Sequence, residues 1–193
     1  MKRLCVFCGS SAGRDPVFAT AARELGAAIA RKGWGLVYGA GNVGLMGVLA
    51  DAVLAAEGEV IGVIPEALVA KELAHRGLTE LHIVASMHER KALMAELADG
   101  FVAMPGGFGT LDEFCEILTW AQLGLHRKPC GLLNVAGYFD PLLQQMERAV
   151  AAGFVRAEHR DLFVVETEPK KLLQRLVKFT PPKVEKWIRA EET

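Results

Sequence analysis

Residues 100–123 read GFVAMPGGFGTLDEFCEILTWAQL, and this stretch decides the fold. It begins with an apolar run at 101–104, which predicts a buried strand, and ends with an amphipathic run at 111–123, which predicts a helix. A proline and a row of glycines separate the two, as in a tight turn from a strand into a helix. The stretch therefore predicts one strand–turn–helix unit of an α/β sheet.

The same alternation runs along the rest of the chain. It predicts strands at 4–8, 35–38, 59–64, 80–84, 101–104, 130–134 and 162–165, and helices at 16–32, 44–56, 87–98, 111–123, 141–152 and 169–179. This order favours a doubly wound, mostly parallel sheet of about seven strands with helices on both faces. We expect one domain over residues 1–193, with 180–193 as a peripheral C-terminal helix.

Composition narrows the range of partners. Hydrophobic residues make up 51% of the 193 residues, which suits a parallel sheet buried on both faces. The net charge of -1 gives no bulk field that would attract nucleic acid or a membrane surface. The N-terminus leads straight into a strand without a signal peptide, and no apolar run reaches membrane-spanning length. We therefore expect a cytoplasmic protein that has no nucleic-acid or membrane partner.

The cysteines and histidines do not predict a metal site. Cys5 and Cys8 form a C-x-x-C pattern, but both fall in the first predicted strand, where positions three apart point to opposite faces. Two buried thiols are therefore favoured over a redox pair. The five histidines are scattered, and no group has metal-ligand spacing, so we expect no metal and no cofactor.

The glycine-rich turn predicts an anion site. Its backbone N–H groups stay unpaired, and the helix N-terminus adds about half a positive charge. A phosphate is the natural ligand of this turn. Glu113 then lies beside that phosphate, and because phosphate binding needs no carboxylate, its presence suggests chemistry. The alternative is a capping box, in which Thr110 caps the helix and Glu113 folds back onto its N–H.

The loop after the second strand offers another interpretation. Residues 39–44 match G-x-G-x-x-G, and Glu66 falls where a ribose-binding acid would lie in a dinucleotide site. This pattern favours an NAD(P)-dependent oxidoreductase. The other interpretation is a tight turn that lets the helix at 44–56 pack closely against the sheet. Ser10, after the first strand, could donate to phosphate or ribose, or simply form a turn.

The loop after the fourth strand carries two adjacent cations. Ser86 and Glu89 match a capping box, so Arg90 and Lys91 fall near a helix N-terminus, where cations cost about 0.3–1 kcal/mol. An anion bound nearby would reverse that cost. The alternative is that Arg90 and Lys91 simply face solvent. Met87 could stack on an aromatic base or pack internally.

Two motifs resemble those of the Lonely Guy (LOG) family. They are Ser-Met-His-Glu-Arg-Lys at 86–91 and Pro-Gly-Gly-Phe-Gly-Thr-Leu-Asp-Glu at 105–113, and the resemblance runs from about residue 4 to about residue 150. The family consists of cytokinin riboside 5′-monophosphate phosphoribohydrolases, long labelled lysine decarboxylase-like. One mild departure is Ala40, where many relatives carry a third glycine.

The resemblance implies a Rossmann-like fold, a homodimer, and hydrolysis of the N-glycosidic bond of a nucleoside 5′-monophosphate to free base and ribose 5-phosphate. It assigns catalysis to Arg90 and Glu113, and phosphate binding to the loop residues Gly106, Gly107, Gly109 and Thr110. Substrate contacts are expected from Ser10, Met87 and Lys91. A pyridoxal-phosphate decarboxylase is rejected, because it needs a Schiff-base lysine, for which only Lys91 is a candidate, and because the chain is too short for such a fold. A nucleotide sensor without catalytic activity and the oxidoreductase are the alternatives.

Overall fold

The computed structural model describes residues 1–69 and 74–182. Its strands are β1 Arg3–Phe7, β2 Gly35–Tyr38, β3 Val60–Pro65, β4 Glu80–Val84, β5 Gly100–Ala103, β6 Cys130–Leu133 and β7 Phe163–Glu166. Its α-helices are α1 Pro16–Arg31, α2 Gly44–Ala55, α3 Glu66–Val69, α4 Met87–Leu97, α5 Phe108–Gln122, α6 Asp140–Ala151 and α7 Pro169–Lys178. Short 3-10 segments occupy Val135–Gly137 and Ala157–Leu162.

All seven strands form one sheet in the order β4-β3-β2-β1-β5-β6-β7. Every neighbouring pair is parallel; β1, for example, sets Cys5 against Val37 of β2 and against Phe101 of β5. The order reverses between β1 and β5, which is where ligands bind in folds of this kind. The doubly wound, Rossmann-like architecture is therefore confirmed.

Helices cover both faces of the sheet. One apolar core lies under α1, α2 and α7, and the other lies under α4, α5 and α6. Cys5 faces the second core and Cys8 the first, so the prediction of two buried thiols on opposite faces is confirmed. Among the helices of the described ranges, none is both long and apolar enough to cross a membrane.

The largest boundary error concerns α5. The sequence predicts its start at 111 with Thr110 as the cap, but the helix begins at Phe108 and its N-cap is Gly107. Thr110 lies inside the first turn, where its buried side chain packs against Gly106. The short helix α3 was not predicted. Of the predicted C-terminal helix, residues 180–182 are not helical and 183–193 lie outside the described residues.

Candidate functional site

Three loops meet at the switch point between β1 and β5. The N–H of Gly9, after β1, donates to the carbonyl oxygen of Pro105, after β5, at 3.1 Å. The Gly9 carbonyl oxygen accepts from the N–H of Leu45, in the first turn of α2, at 3.0 Å. These hydrogen bonds hold the loops after β1, β2 and β5 together at one edge of the sheet.

Glycine is required where these loops touch. A Cβ on Gly106 would stand 2.1 Å from Thr110 Oγ1 and 2.8 Å from the amide nitrogen of Gly9. Gly44 has a φ of +63°, and a Cβ there would stand 2.3 Å from the carbonyl carbon of Ser10. Because backbone atoms cannot move aside cheaply, only glycine allows the loops to approach so closely.

The start of α5 presents open backbone. Its N-cap, Gly107, makes no side-chain capping hydrogen bond. Apart from the adjoining backbone, a Cβ on Gly107 or on Gly109 would meet no described atom within 4 Å, and Phe108 between them is 93% exposed. Packing within the chain therefore does not demand these two glycines. Open amides at the positive end of a helix are what an incoming phosphate needs.

A cavity of about 230 Å³ opens beside this helix start. Ser10, one of the predicted substrate contacts, is exposed and lies in its wall. The lining also includes Gly9, Phe18, Leu45, Gly106 and Tyr138. The cavity therefore joins the loops after β1 and β5, where the sequence predicts a phosphate.

Arg90 is a buried cation on α4 with only 5% of its surface exposed. Its Nη2 donates to the carbonyl oxygen of Gly39 at 3.2 Å, and its Nη1 lies 3.8 Å from Met87 Sδ. Its buried Nε has no hydrogen-bond partner among the described residues. Burying a charged guanidinium with an unpaired N–H donor costs free energy unless a ligand accepts that hydrogen bond.

The contact with Arg90 also explains the glycine at position 39. A Cβ there would stand 1.8 Å from Arg90 Nη2. Gly41 is similarly packed against Met46, and Gly44 against Ser10. The glycines of residues 39–44 are thus used by contacts within the chain, which favours the packing interpretation over a dinucleotide fingerprint.

Glu113 lies half-buried in the second turn of α5. Burial raises the pKa of Cys5, the Glu113 charge raises it further, and the Arg90 charge opposes this rise. Glu113 and Arg90 thus act with opposite sign on the pKa of the same buried thiol. With Gly107 as the N-cap of α5, the capping-box alternative for Thr110 and Glu113 is wrong.

The capping prediction for α4 is confirmed in its main feature. Ser86 Oγ accepts from the N–H of Glu89 at 3.1 Å. Glu89 Oε2 accepts from the N–H of Ala85 at 2.9 Å, one residue before the cap. The Glu89 side chain and backbone N–H are therefore both used in capping α4.

Lys91 joins α4 to α5. Its Nζ lies 3.2 Å from Asp112 Oδ2 and 3.0 Å from Glu116 Oε2. Burial alone would lower the pKa of Lys91, but the hydrogen bonds to these two carboxylates raise it. The carboxylates of α5, without any ligand, thus offset the cost of a cation near the start of α4. The substrate-binding role of Lys91 stays a prediction.

We expect Lys91→Met to lower the free energy of unfolding by about 1 kcal/mol, because it leaves Asp112 and Glu116 unpaired across α4 and α5. Lys91→Arg, which keeps the charge, should lose less. Urea unfolding followed by circular dichroism measures both. Unchanged stability together with a raised KM for AMP would instead assign the ammonium to the substrate.

The thiols of Cys5 and Cys8 should be inert in the folded protein. Both are free and buried, and burial raises both pKa values, so little thiolate forms at neutral pH. Cys115 is exposed. With Ellman's reagent at pH 7.5 we expect at most one thiol to react before unfolding and all four afterwards. Rapid reaction of two further thiols, or a Cys5–Cys8 disulfide, would contradict this.

Other predicted residues have simpler surroundings. Met87, the first residue of α4, is 42% exposed, while Met46 and Met94 pack in the two cores. Across 1–69 and 74–182, no group of three or more His, Cys, Asp or Glu side chains could hold a metal ion. Sequence reasoning missed Tyr138, whose hydroxyl donates to the Gly106 carbonyl oxygen. The turn residues before it, Ala136 and Gly137, were the available signal.

Comparisons with known proteins give consistent results. A family model described as "Possible lysine decarboxylase" matches residues 46–176. The chain is 48% identical over 178 residues to the probable cytokinin riboside 5′-monophosphate phosphoribohydrolase LOGL1 of Oryza sativa subsp. japonica, covering 92% of this chain and 80% of that protein. It is 47% identical over 180 residues to the cytokinin riboside 5′-monophosphate phosphoribohydrolase LOG7 of Arabidopsis thaliana, covering 93% and 83%.

Solved structures share the fold at lower identity. The molybdenum cofactor carrier protein of Chlamydomonas reinhardtii superposes with a TM-score of 0.69 at 22% identity. The match covers 92% of this chain and 98% of that one. At this identity the match supports the architecture and nothing about the ligand.

Proposed function

Because this chain belongs to the Lonely Guy family of phosphoribohydrolases, which are hydrolytic enzymes, we propose that it cleaves the N-glycosidic bond of cytokinin riboside 5′-monophosphates or AMP. The products are the free base and ribose 5-phosphate. The observation that carries the assignment of residues is the buried Arg90 guanidinium, whose Nε has no hydrogen-bond partner among the described residues and so calls for a ligand.

The 5′-phosphate binds at the start of α5 in this proposal. The amides of the loop at 106–110 and the helix dipole supply the positive potential. Gly107 and Gly109 leave room for it, since apart from the adjoining backbone no described atom lies within 4 Å of a Cβ at either position. The hydroxyl of Ser10, in the wall of the cavity, is a further donor to the phosphate or the ribose.

Arg90 and Glu113 carry out the chemistry. The bond between C1′ and the base nitrogen breaks, and its electron pair leaves with the base. Water supplies a hydroxyl to C1′ and a proton to the base. The Glu113 carboxylate stabilises the positive charge that develops on the ribose and helps to orient the water, as in glycoside hydrolysis. Arg90 donates charged hydrogen bonds to the base or the sugar hydroxyls, and Met87 contacts the base.

Lysine decarboxylation does not fit these residues. A lysine that forms a Schiff base works with a lowered pKa, so that a neutral amine is available. The pKa of Lys91 is raised by its carboxylate partners, despite its burial. The ammonium is thus stabilised in its unreactive form.

The test is direct product analysis. The protein is incubated with AMP and with N6-isopentenyl-AMP, and the free base is separated by chromatography. We expect release of adenine, isopentenyladenine or both. Binding of AMP without any release would favour a nucleotide sensor, and tight binding of NAD(P) in a fluorescence titration would favour the oxidoreductase.

We further propose that residues 1–193 form one domain and that the protein is a homodimer. The single sheet supports the first proposal. The resemblance to the Lonely Guy family supports the second, and Phe108, Leu125 and Phe154 are large apolar side chains exposed in the single chain. Light scattering after size-exclusion chromatography should give twice the mass of 20.9 kDa. The cytoplasmic location and the absence of nucleic-acid or membrane partners stay predictions.

A further inference from the structure

A turn between β6 and α6 places Tyr138 beside the glycine-rich loop at 106–110, the proposed phosphate site. The Tyr138 hydroxyl donates to the carbonyl oxygen of Gly106. Its ring meets Phe18 edge-on at 5.9 Å and Phe139 at 5.1 Å, measured between ring centroids. Tyr138 also lines the cavity at the start of α5. This contact joins two loops that are 32 residues apart in the sequence.

The turn is built to hold that position. Asn134 is buried; its Nδ2 donates to Asp140 Oδ1 at 2.7 Å, and its Oδ1 accepts from the N–H of Phe139 at 2.7 Å. Ala136 and Gly137 both adopt positive φ, at 52° and 71°. For alanine that conformation costs about 1–2 kcal/mol, so the surrounding contacts enforce it.

The hydrogen bond fixes one particular peptide. The Gly106 carbonyl and the Gly107 N–H belong to the same planar unit, so anchoring the oxygen fixes the direction of the N–H. Gly107 is the N-cap of α5. Glycine backbones have more conformational freedom than those of other residues. The hydrogen bond from Tyr138 therefore does much to fix the orientation of the Gly106–Gly107 peptide.

We propose that Tyr138 is a positioning residue for the 5′-phosphate of the substrate, acting through the Gly106–Gly107 peptide. This inference rests on the proposed function, because it assigns a phosphate to that loop. Tyr138 is 43% exposed, while its neighbour Phe139 is buried in the core. The hydroxyl can therefore be removed without disturbing the core.

Tyr138→Phe tests the inference, with Tyr38→Phe as the matched control. Tyr38 is the other tyrosine of the chain, and its buried hydroxyl has no hydrogen-bond partner among the described residues. We expect Tyr138→Phe to raise the KM for AMP about fivefold and to leave kcat within about twofold. Calorimetry should show the same loss of affinity for ribose 5-phosphate, but no loss for adenosine, which has no phosphate. Tyr38→Phe should change none of these values.

Two sets of outcomes would overturn the inference. If the wild-type protein binds ribose 5-phosphate and Tyr138→Phe binds it equally well, this inference is refuted and the proposed function stands. A fall in kcat at constant KM has the same consequence. A wild-type protein that binds neither AMP nor ribose 5-phosphate contradicts the proposed function and this inference together. Tyr138→Leu, which removes the ring as well, provides a second variant and should raise KM at least as much.

Discussion

Glu113→Gln should lower kcat for release of adenine from AMP by about a hundredfold or more, while the protein stays folded. Glutamine keeps the size and shape of the side chain but removes its charge. The positive charge that develops at C1′ then has no counter-charge, and the water loses a partner that orients it. The KM for AMP should change little, because the proposed phosphate contacts come from the backbone of the loop at 106–110 and not from Glu113.

The measurement is steady-state turnover by chromatography, with unfolding followed by circular dichroism. Glu147→Gln is the matched control, because it makes the same chemical change on the surface of α6, where Glu147 pairs with Arg160. Turnover by Glu113→Gln at near the wild-type rate would remove Glu113 from the chemistry.

Arg90→Ala should also lower kcat/KM for AMP by about a hundredfold or more. The guanidinium is buried, is anchored on the Gly39 carbonyl oxygen, and still has an unused Nε donor. Arg90→Lys should recover only part of the activity, since an ammonium cannot reproduce the planar fork of donors.

Gly39→Ala gives an independent test of the same residue. The added methyl would stand 1.8 Å from Arg90 Nη2, so the guanidinium must leave its place. We expect a loss of activity in the same direction as for Arg90→Ala, although no side chain that meets the substrate has been replaced. Normal turnover by both variants would show that the position of Arg90 does not matter to the reaction.

Much of the architecture follows from local sequence patterns. Apolar strands bounded by glycine and proline predict the sheet, and the strands at 35–38 and 80–84 were predicted without error. The start of α5 was missed because Thr110 and Glu113 have the residue types of a capping box. The true cap is a glycine, which carries no side-chain signal.

The partners of the site residues could not be predicted, because they come from distant parts of the chain. Lys91 lies 21 residues before Asp112, and Arg90 lies 51 residues after Gly39. The sequence shows only that two cations stand near a helix start, which suggests a bound anion. The fold instead gives Lys91 two carboxylates and gives Arg90 a backbone carbonyl oxygen.

In our proposal, one site holds the phosphate at the start of α5 and the glycosidic bond between Arg90 and Glu113. A crystal structure of Glu113→Gln with AMP bound tests it most directly. We predict phosphate oxygens within hydrogen-bond distance of the amides at 107–110, and C1′ beside residue 113. A phosphate bound instead at the glycines of residues 39–44, or a ribose far from Arg90, would contradict the claim.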